Sequence, residues 1–316
     1  MPRSGTKLLR DLLNQHPSVG IPEAETEFLP DWALRWPEFG DLRESGAWVR
    51  FVDKVRSSAY FVYLAEERGL YVDAVAWRLA CPDFSMAGVF EGLCRLHGGA
   101  SAEEGGIWGD KSPGYLRHLR LIWDLWPRAH VVHIVRDVRD QVLSAHSAWG
   151  KDPVRGAARW ADSLAAAQPV MAQHDGRWLE VRYEDLVTDP QAVLERICAF
   201  LQIPWNPAVL ALSRPSENLG DTKGKTTVVA GNVEKWRSMM DSRTCRRVEA
   251  LAADGLRRHG YPCDHEGPAV HMPRGERRIR QLRDGANLVR FDVQLRGAVG
   301  ALRFRWRLFQ ETGGWE

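Results

Sequence analysis

The sequence predicts an α/β protein built on buried parallel strands, and three observations carry that prediction. Ala129 to Val135 is a β-branched apolar run bounded by charge, the pattern of a strand covered on both faces. Trp178 to Arg182 is a second short strand pattern. Helical periodicity follows each of them, from Asp137 to Ala148 and from Asp189 onward.

The other elements follow in chain order. Leu8, Leu9, Leu12 and Leu13 recur at helical spacing from Thr6 to Gln15, and His16-Pro17 stops the pattern, so a short helix opens directly from Ser4-Gly5. After Pro22 come Glu23, Glu25 and Glu27, then helix-like stretches near 56–68 and 84–97, the second closed by Gly98-Gly99. A helix is expected from Pro113 through Leu119 and Leu125 to Pro127, and another from Val154 to His174 with an interruption at Pro169. Asp189 caps a helix carrying Val193, Leu194, Ile197 and Leu201, with proline at its favoured first position. Ser213 to Gly231, rich in Gly, Ser, Thr and Lys, reads as a mobile loop, followed by helices over Val233–Met240 and Cys245–His259.

Composition excludes several classes. Lys and Arg total 43 against 41 Asp and Glu, a net charge of +2, which argues against a protein that coats nucleic acid or an anionic membrane with its bulk charge. The apolar runs fall far short of the roughly 20 residues of a membrane span. Cys81, Cys94, Cys198, Cys245 and Cys263 show neither C-x-x-C spacing nor a His/Cys cluster, so neither a disulfide framework nor a metal site is expected. The start, MPRSGTKLLRDLL, lacks a basic segment followed by an apolar stretch, and a cytoplasmic protein is expected. The 14 tryptophans follow no period and read as packing residues. Compact pattern ends near Tyr261-Pro262, predicting a domain over 1–262 and an arginine-rich extension over 263–316. The extension holds ten arginines, no lysine and seven acids, +3, which leaves −1 for the first 262 residues.

Two anion sites stand out. Pro2-Arg3-Ser4-Gly5-Thr6-Lys7 opens a helix, where small residues admit an anion to the backbone and the first turn offers unpaired N–H groups and a positive dipole end. Arg136 stands at the carboxyl end of the Val131–Val135 strand, where open α/β sheets bind ligands, and Ser144 follows two helical turns later. Helix capping would account for either segment alone. Together they suggest one ligand with two separated phosphate-like groups.

The segments PRSGTKLLRDLLNQHP, WGDKSPGYL, VVHIVRDVRDQVLS, VRYEDL with DPQAVLERICAFLQIP, and NVEKWRSMM stand in the order found in sulfotransferases that use 3′-phosphoadenosine 5′-phosphosulfate. The chain resembles the bacterial and tyrosylprotein-type branch of that family over roughly residues 2–262. The resemblance implies a P-loop-containing three-layer fold, a central parallel sheet flanked by helices, and transfer of a sulfuryl group to an acceptor hydroxyl with release of the 3′,5′-bisphosphate. It implies no metal. Relatives carry a hydrophobic strand just ahead of the loop; here Met1-Pro2 stands there, so the first strand is expected to be missing.

The resemblance places Arg3, Ser4, Gly5, Thr6 and Lys7 on the 5′-phosphosulfate, Arg136 and Ser144 on the 3′-phosphate, Tyr183 near the adenine, and Lys235 and Trp236 in a segment that closes over the cofactor. The Ser213–Gly231 loop would be the lid. Arg3 and Lys7 would stabilise the leaving phosphate, and Lys111, in Lys111-Ser112-Pro113, would reach the transferred group or orient the acceptor. Glu25 falls on the family's base. Glu23 remains possible because the spacing is one residue longer than in some relatives, and Glu27 stands where many bacterial members have histidine. Three carboxylates within five residues repel one another, which raises a pKa toward neutrality and suits a general base.

Two other readings predict different outcomes. A P-loop kinase or NTPase needs G-x-x-x-x-G-K-[ST] and a metal-binding aspartate, whereas this loop ends Gly-Thr-Lys and Arg136 follows the strand. A non-catalytic relative would bind nucleotide or a partner without turnover. The acceptor is a hydroxyl on a metabolite, glycan or phenol, with its pocket expected from residues 28–100, including the aromatic-rich stretch Trp32 to Trp48, and from the late loop. Leu282, Val289, Val293, Leu295 and Leu302 among arginines suggest that the extension is an amphipathic helix or hairpin, either packed on the core with arginines in solvent or touching a membrane surface or another subunit.

Overall fold

The computed structural model describes residues 1–56, 58–69, 71–98, 106–174, 176–216 and 222–312. The chain runs α1 (Thr6–Leu13), β1 (Val19–Gly20), α2 (Leu29–Arg35), α3 (Ser45–Val55), α4 (Ala59–Arg68), α5 (Ala74–Ala80), α6 (Met86–Gly98), β2 (Ile107–Trp108), α7 (Leu119–Leu125), β3 (Val131–Val135), α8 (Val138–Trp149), α9 (Pro153–Met171), β4 (Trp178–Arg182), α10 (Tyr183–Thr188), α11 (Pro190–Phe200), α12 (Trp236–Met239), α13 (Ser242–Arg258) and α14 (Arg274–Thr312).

The α/β class and the parallel pairing are observed. β3 pairs in parallel with β4, Val131 opposite Trp178 through Val135 opposite Arg182. β1 pairs in parallel with β2 at Val19 opposite Ile107, a pair of two-residue strands too short to leave a periodic signal. The two pairs form separate sheets among the described residues. Between them lies a cleft of about 1140 Å³ walled by Ile107–Gly109 on one side and Val131–Ile134 on the other, with Met1 and Thr6 in its lining.

Register places His133 opposite Glu180, and the two side chains meet at 3.1 Å. The second oxygen of Glu180 meets His259, just past α13, at 2.7 Å. Burial alone would raise the Glu180 carboxyl, but hydrogen bonds with His133 and His259 hold it down at about 2. This cross-link ties the strand pair to the helical layer behind it.

Four apolar clusters hold the layers. The first packs α2 to α6 around Trp32, Phe51, Trp77 and Phe90, with the Trp32 and Phe51 rings edge to face at 5.3 Å. Trp32, Trp48 and Trp77 serve packing as expected, and at 2% and 3% exposed the Trp32 and Trp48 rings are taken by the core and do not face an acceptor. The second cluster joins α1 to β3, β4 and α11, and the third joins α8, α9 and α13.

Several boundaries differ from the sequence reading for local reasons. Pro169 lies inside an unbroken α9 because it falls in the last turn, where little helix remains to be lost. The expected helix over Val233–Met240 shrinks to Trp236–Met239, since Glu234 takes a left-handed φ of 55°. Gly98 ends α6, and Gly99 lies outside the described residues. Past residue 262, Met272 is buried in the third cluster together with Tyr261.

Candidate active site

Gly5 sets the geometry of the loop. It caps α1 with φ 85°, and a Cβ there would stand 2.4 Å from the Tyr183 ring, so only glycine fits both the backbone and the neighbour. Arg3 also has a left-handed φ, 63°, a costly conformation held by what surrounds it. The Pro2 carbonyl accepts from Gln141 Nε2 at 2.7 Å and the Arg3 carbonyl from Arg136 Nη1 at 3.1 Å, both donors lying at or beyond the end of β3. These bonds turn the Pro2 and Arg3 carbonyls toward α8 and fix the backbone that leads into the first turn of α1, which carries Thr6 and Lys7.

The end of β3 delivers a second basic group beside the loop. Arg136 is 4% exposed, lies 4.3 Å over the Tyr183 ring, and donates through Nη2 to the Asn232 carbonyl at 2.8 Å. Asn232 Nδ2 in turn donates to the Tyr183 hydroxyl at 2.7 Å. Ser144, on α8, accepts from Arg3 Nε at 3.1 Å, so the two segments named from sequence meet in space. Arg3, Gly5, Arg136 and Tyr183 line one small cavity of about 40 Å³ with Ser216, Lys225 and Asn232. Of the lining residues, Arg136 Nε and Ser216 Oγ are buried without a hydrogen-bond partner, and so is Ser4 Oγ, next to Gly5 in the chain.

Lys235 and Trp236 are not in that lining. The Trp236 N–H donates to Asp140 at 2.9 Å, and its ring sits 3.7 Å from the Arg139 guanidinium, which is itself paired with Asp137 and Glu249. The segment thus anchors the loop behind the cavity, while Asn232, Ser216 and Lys225 reach into it. Composition marked the loop but offered no signal for which of its polar residues turn inward.

On the other side of the loop, Lys111 makes an ion pair with Glu25. Thr26 is buried beneath, bonded to Asp110 at 2.9 Å, Ser112 at 3.1 Å and Tyr115 at 2.8 Å, and Tyr115 accepts from the Leu29 N–H. This net fixes the acidic segment against Lys111-Ser112-Pro113, and it involves Thr26, Asp110 and Tyr115, none of them singled out from sequence. Burial pushes the Asp110 carboxyl up to about 6. Glu27, with a left-handed φ of 47° and its outer edge open to solvent, is pushed up to about 7 by desolvation first and then by the Glu25 charge. Glu23 points elsewhere: its carboxylate pairs with Arg214 of the late loop, and its carbonyl accepts from Arg10.

The family model for the sulfotransferase family matches residues 1–207. The chain belongs to the sulfotransferase family. The matched span contains the loop, Glu25, Lys111, Arg136, Ser144 and Tyr183, and ends before the late loop. Protein-tyrosine sulfotransferase 1 of Danio rerio is 27% identical over 226 residues, 66% of this chain and 53% of that protein. Protein-tyrosine sulfotransferase A of Caenorhabditis elegans is 29% identical over 231 residues, 66% of this chain and 50% of that one. This sulfotransferase-family chain therefore spans about half the length of the curated relatives it matches. Among solved structures, the sulfotransferase domain from the Synechococcus PCC 7002 olefin synthase superposes with a TM-score of 0.50 at 25% identity, covering 79% of this chain and 91% of that domain. The fold is that of sulfotransferase domains.

Proposed function

We propose that this protein transfers the sulfuryl group of 3′-phosphoadenosine 5′-phosphosulfate to an acceptor hydroxyl, with Glu25 as the base. The observation that carries the reading is the meeting of Arg3, Ser144, Arg136 and Tyr183 at Gly5, with Ser4, Arg136 and Ser216 each holding an unpartnered buried polar atom. A ligand with two anionic ends satisfies such groups, and charge-assisted bonds are the strong ones.

When bound, the donor supplies an electrophilic sulfur and a good leaving phosphate. Arg3, Lys7 and the first-turn N–H groups of α1 hold the 5′ end and take up charge as it develops there. Arg136 and Ser144 hold the 3′-phosphate, with Tyr183 beside the base. Glu25 accepts the acceptor's hydroxyl proton, and Lys111 fixes its carboxylate in one orientation. A cavity of about 40 Å³ admits water but no nucleotide, so residues 222–232 are the lid and must swing before the donor enters. The bonds released are those of Asn232 to Arg136 and Tyr183.

The acceptor carries its hydroxyl on a metabolite, glycan or phenol. Phenols are the first class to test, because two relatives are named protein-tyrosine sulfotransferases. Incubation with radiolabelled donor and pooled hydroxylated acceptors in EDTA, with mass detection of the added sulfate, decides the reading. Labelled product in EDTA is expected. Saturable binding of the donor without product would leave a nucleotide-binding relative, and product only with Mg²⁺ would point to a different enzyme.

A further inference from the structure

Helix α14 is amphipathic in the reverse sense. Its polar side faces the body: Arg277 pairs with Asp162 at 2.6 Å, Arg280 with Asp152 at 2.6 Å, and Asp284 with Arg155 at 2.7 Å, while Asn287 donates to the Gly150 carbonyl. Its apolar side faces out. Ile279, Leu282, Val289 and Val293, spaced by three, seven and four residues, fall on one exposed stripe, Leu282 being 75% exposed. The arginines expected in solvent are thus divided, some holding the helix down and others flanking the bare stripe.

Gly297, with φ 71° and ψ 168°, breaks the helix. Asp292 and Arg305 pair at 2.5 Å across 13 positions, which a straight helix would hold about 20 Å apart, so the chain doubles back there. The returning arm exposes Val299, Leu302 and Trp306, the last at 61%. An apolar surface of this kind, continued over both arms, is costly in water unless something covers it.

Charge says what covers it. Arg278, Arg283 and Arg290 are exposed along the two margins of the stripe, and Arg303 is exposed on the returning arm. Over residues 274–305 of α14 each acid is paired: Glu276 with Arg247 and Arg280, Asp284 with Arg155, and Asp292 with Arg305. Over residues 274–305 the outer face is therefore apolar at its centre, cationic at its edges and without an unpaired acid. A second copy laid face to face would set arginine against arginine. An anionic bilayer surface offers acyl chains to the stripe and phosphates to the margins.

We propose that the outer face of α14 docks on anionic lipid membranes, with Ile279, Leu282, Val289 and Val293 entering the boundary of the acyl region and Arg278, Arg283 and Arg290 reaching the headgroups. No described helix is long and apolar enough to cross a membrane, so the contact is peripheral. The surface is independent of the transfer reading.

Flotation of the full chain on vesicles tests this. The chain is expected to float with phosphatidylcholine vesicles containing phosphatidylglycerol and not with phosphatidylcholine alone. Arg278→Gln, Arg283→Gln and Arg290→Gln together should weaken association about 100-fold, since each basic residue near the surface contributes roughly fivefold. Leu282→Glu with Val289→Glu should abolish flotation while leaving the unfolding temperature unchanged, because both side chains are exposed. Failure of the unaltered chain to float with anionic vesicles overturns the proposal, as does flotation that survives the paired glutamates. If the lipid-free chain instead sediments as a dimer that these glutamates dissociate, the occupant is a second copy and not a membrane.

Discussion

At Arg136 one guanidinium holds the Arg3 carbonyl, covers the Tyr183 ring and pins Asn232, yet keeps Nε without a partner. Arg136→Ala should weaken binding of the 3′,5′-bisphosphate by about 1.5 to 3 kcal/mol, the worth of a charged hydrogen bond, as read by titration calorimetry. Unchanged affinity removes Arg136 from the anion site. Glu25→Gln should cut turnover roughly 10²- to 10⁴-fold and leave donor affinity intact. If Glu23→Gln or Glu27→Gln shows that split instead, the base moves there. Glu27 also has a pH signature. Its folded pKa, about 7, lies above its unfolded value, so the fold binds this proton more tightly and stability falls as pH climbs toward 7. Glu27→Gln should therefore raise the melting temperature more at pH 8 than at pH 5, and an equal shift at both would contradict this assignment.

At the scale of elements, the proposed anion site depends on one close approach, α1 against the start of α10 through Gly5 and Tyr183. Gly5→Ala meets a left-handed backbone cost of about 1 to 2 kcal/mol and a clash with the Tyr183 ring besides. Thermal denaturation should show that loss, and calorimetry a weaker bisphosphate affinity; a variant as stable as the parent would mean that the loop has another backbone conformation. Sequence made the frame of this site legible. The apolar run of β3 and the leucine spacing of α1 are local patterns, and each marks where a strand or helix ends. β1 and β2 were illegible because two residues carry no period. The lid's contacts were illegible for a different reason: Asn232 and Ser216 face the cavity only because Arg136 and Tyr183 lie across from them in the fold.

At the scale of the whole molecule, α14 is joined to α9 by ion pairs where an apolar seam would be usual. Asp284 is 4% exposed and accepts from both Arg155 and the Asp152 N–H. Asp284→Ala leaves Arg155 buried without its carboxylate, at a cost of about 3 to 5 kcal/mol. Hydrogen exchange should then show α14 losing protection while β3 and α8 keep theirs; uniform protection would mean that the extension is held by other contacts. The sequence by itself determined the α/β class and where the Arg3–Lys7 loop, the acidic segment and the Arg136 strand end stand, because each is written in short-range periodicity or in adjacent residues. Only the tertiary structure decided that Arg3 meets Ser144, that Lys111 chooses Glu25 and Arg214 takes Glu23, and that α14 turns Arg277 and Arg280 inward and Leu282 out. Partners more than 80 positions apart are selected by how layers stack. A helix's periodicity shows that it has two faces, and only its neighbours settle which one meets the protein.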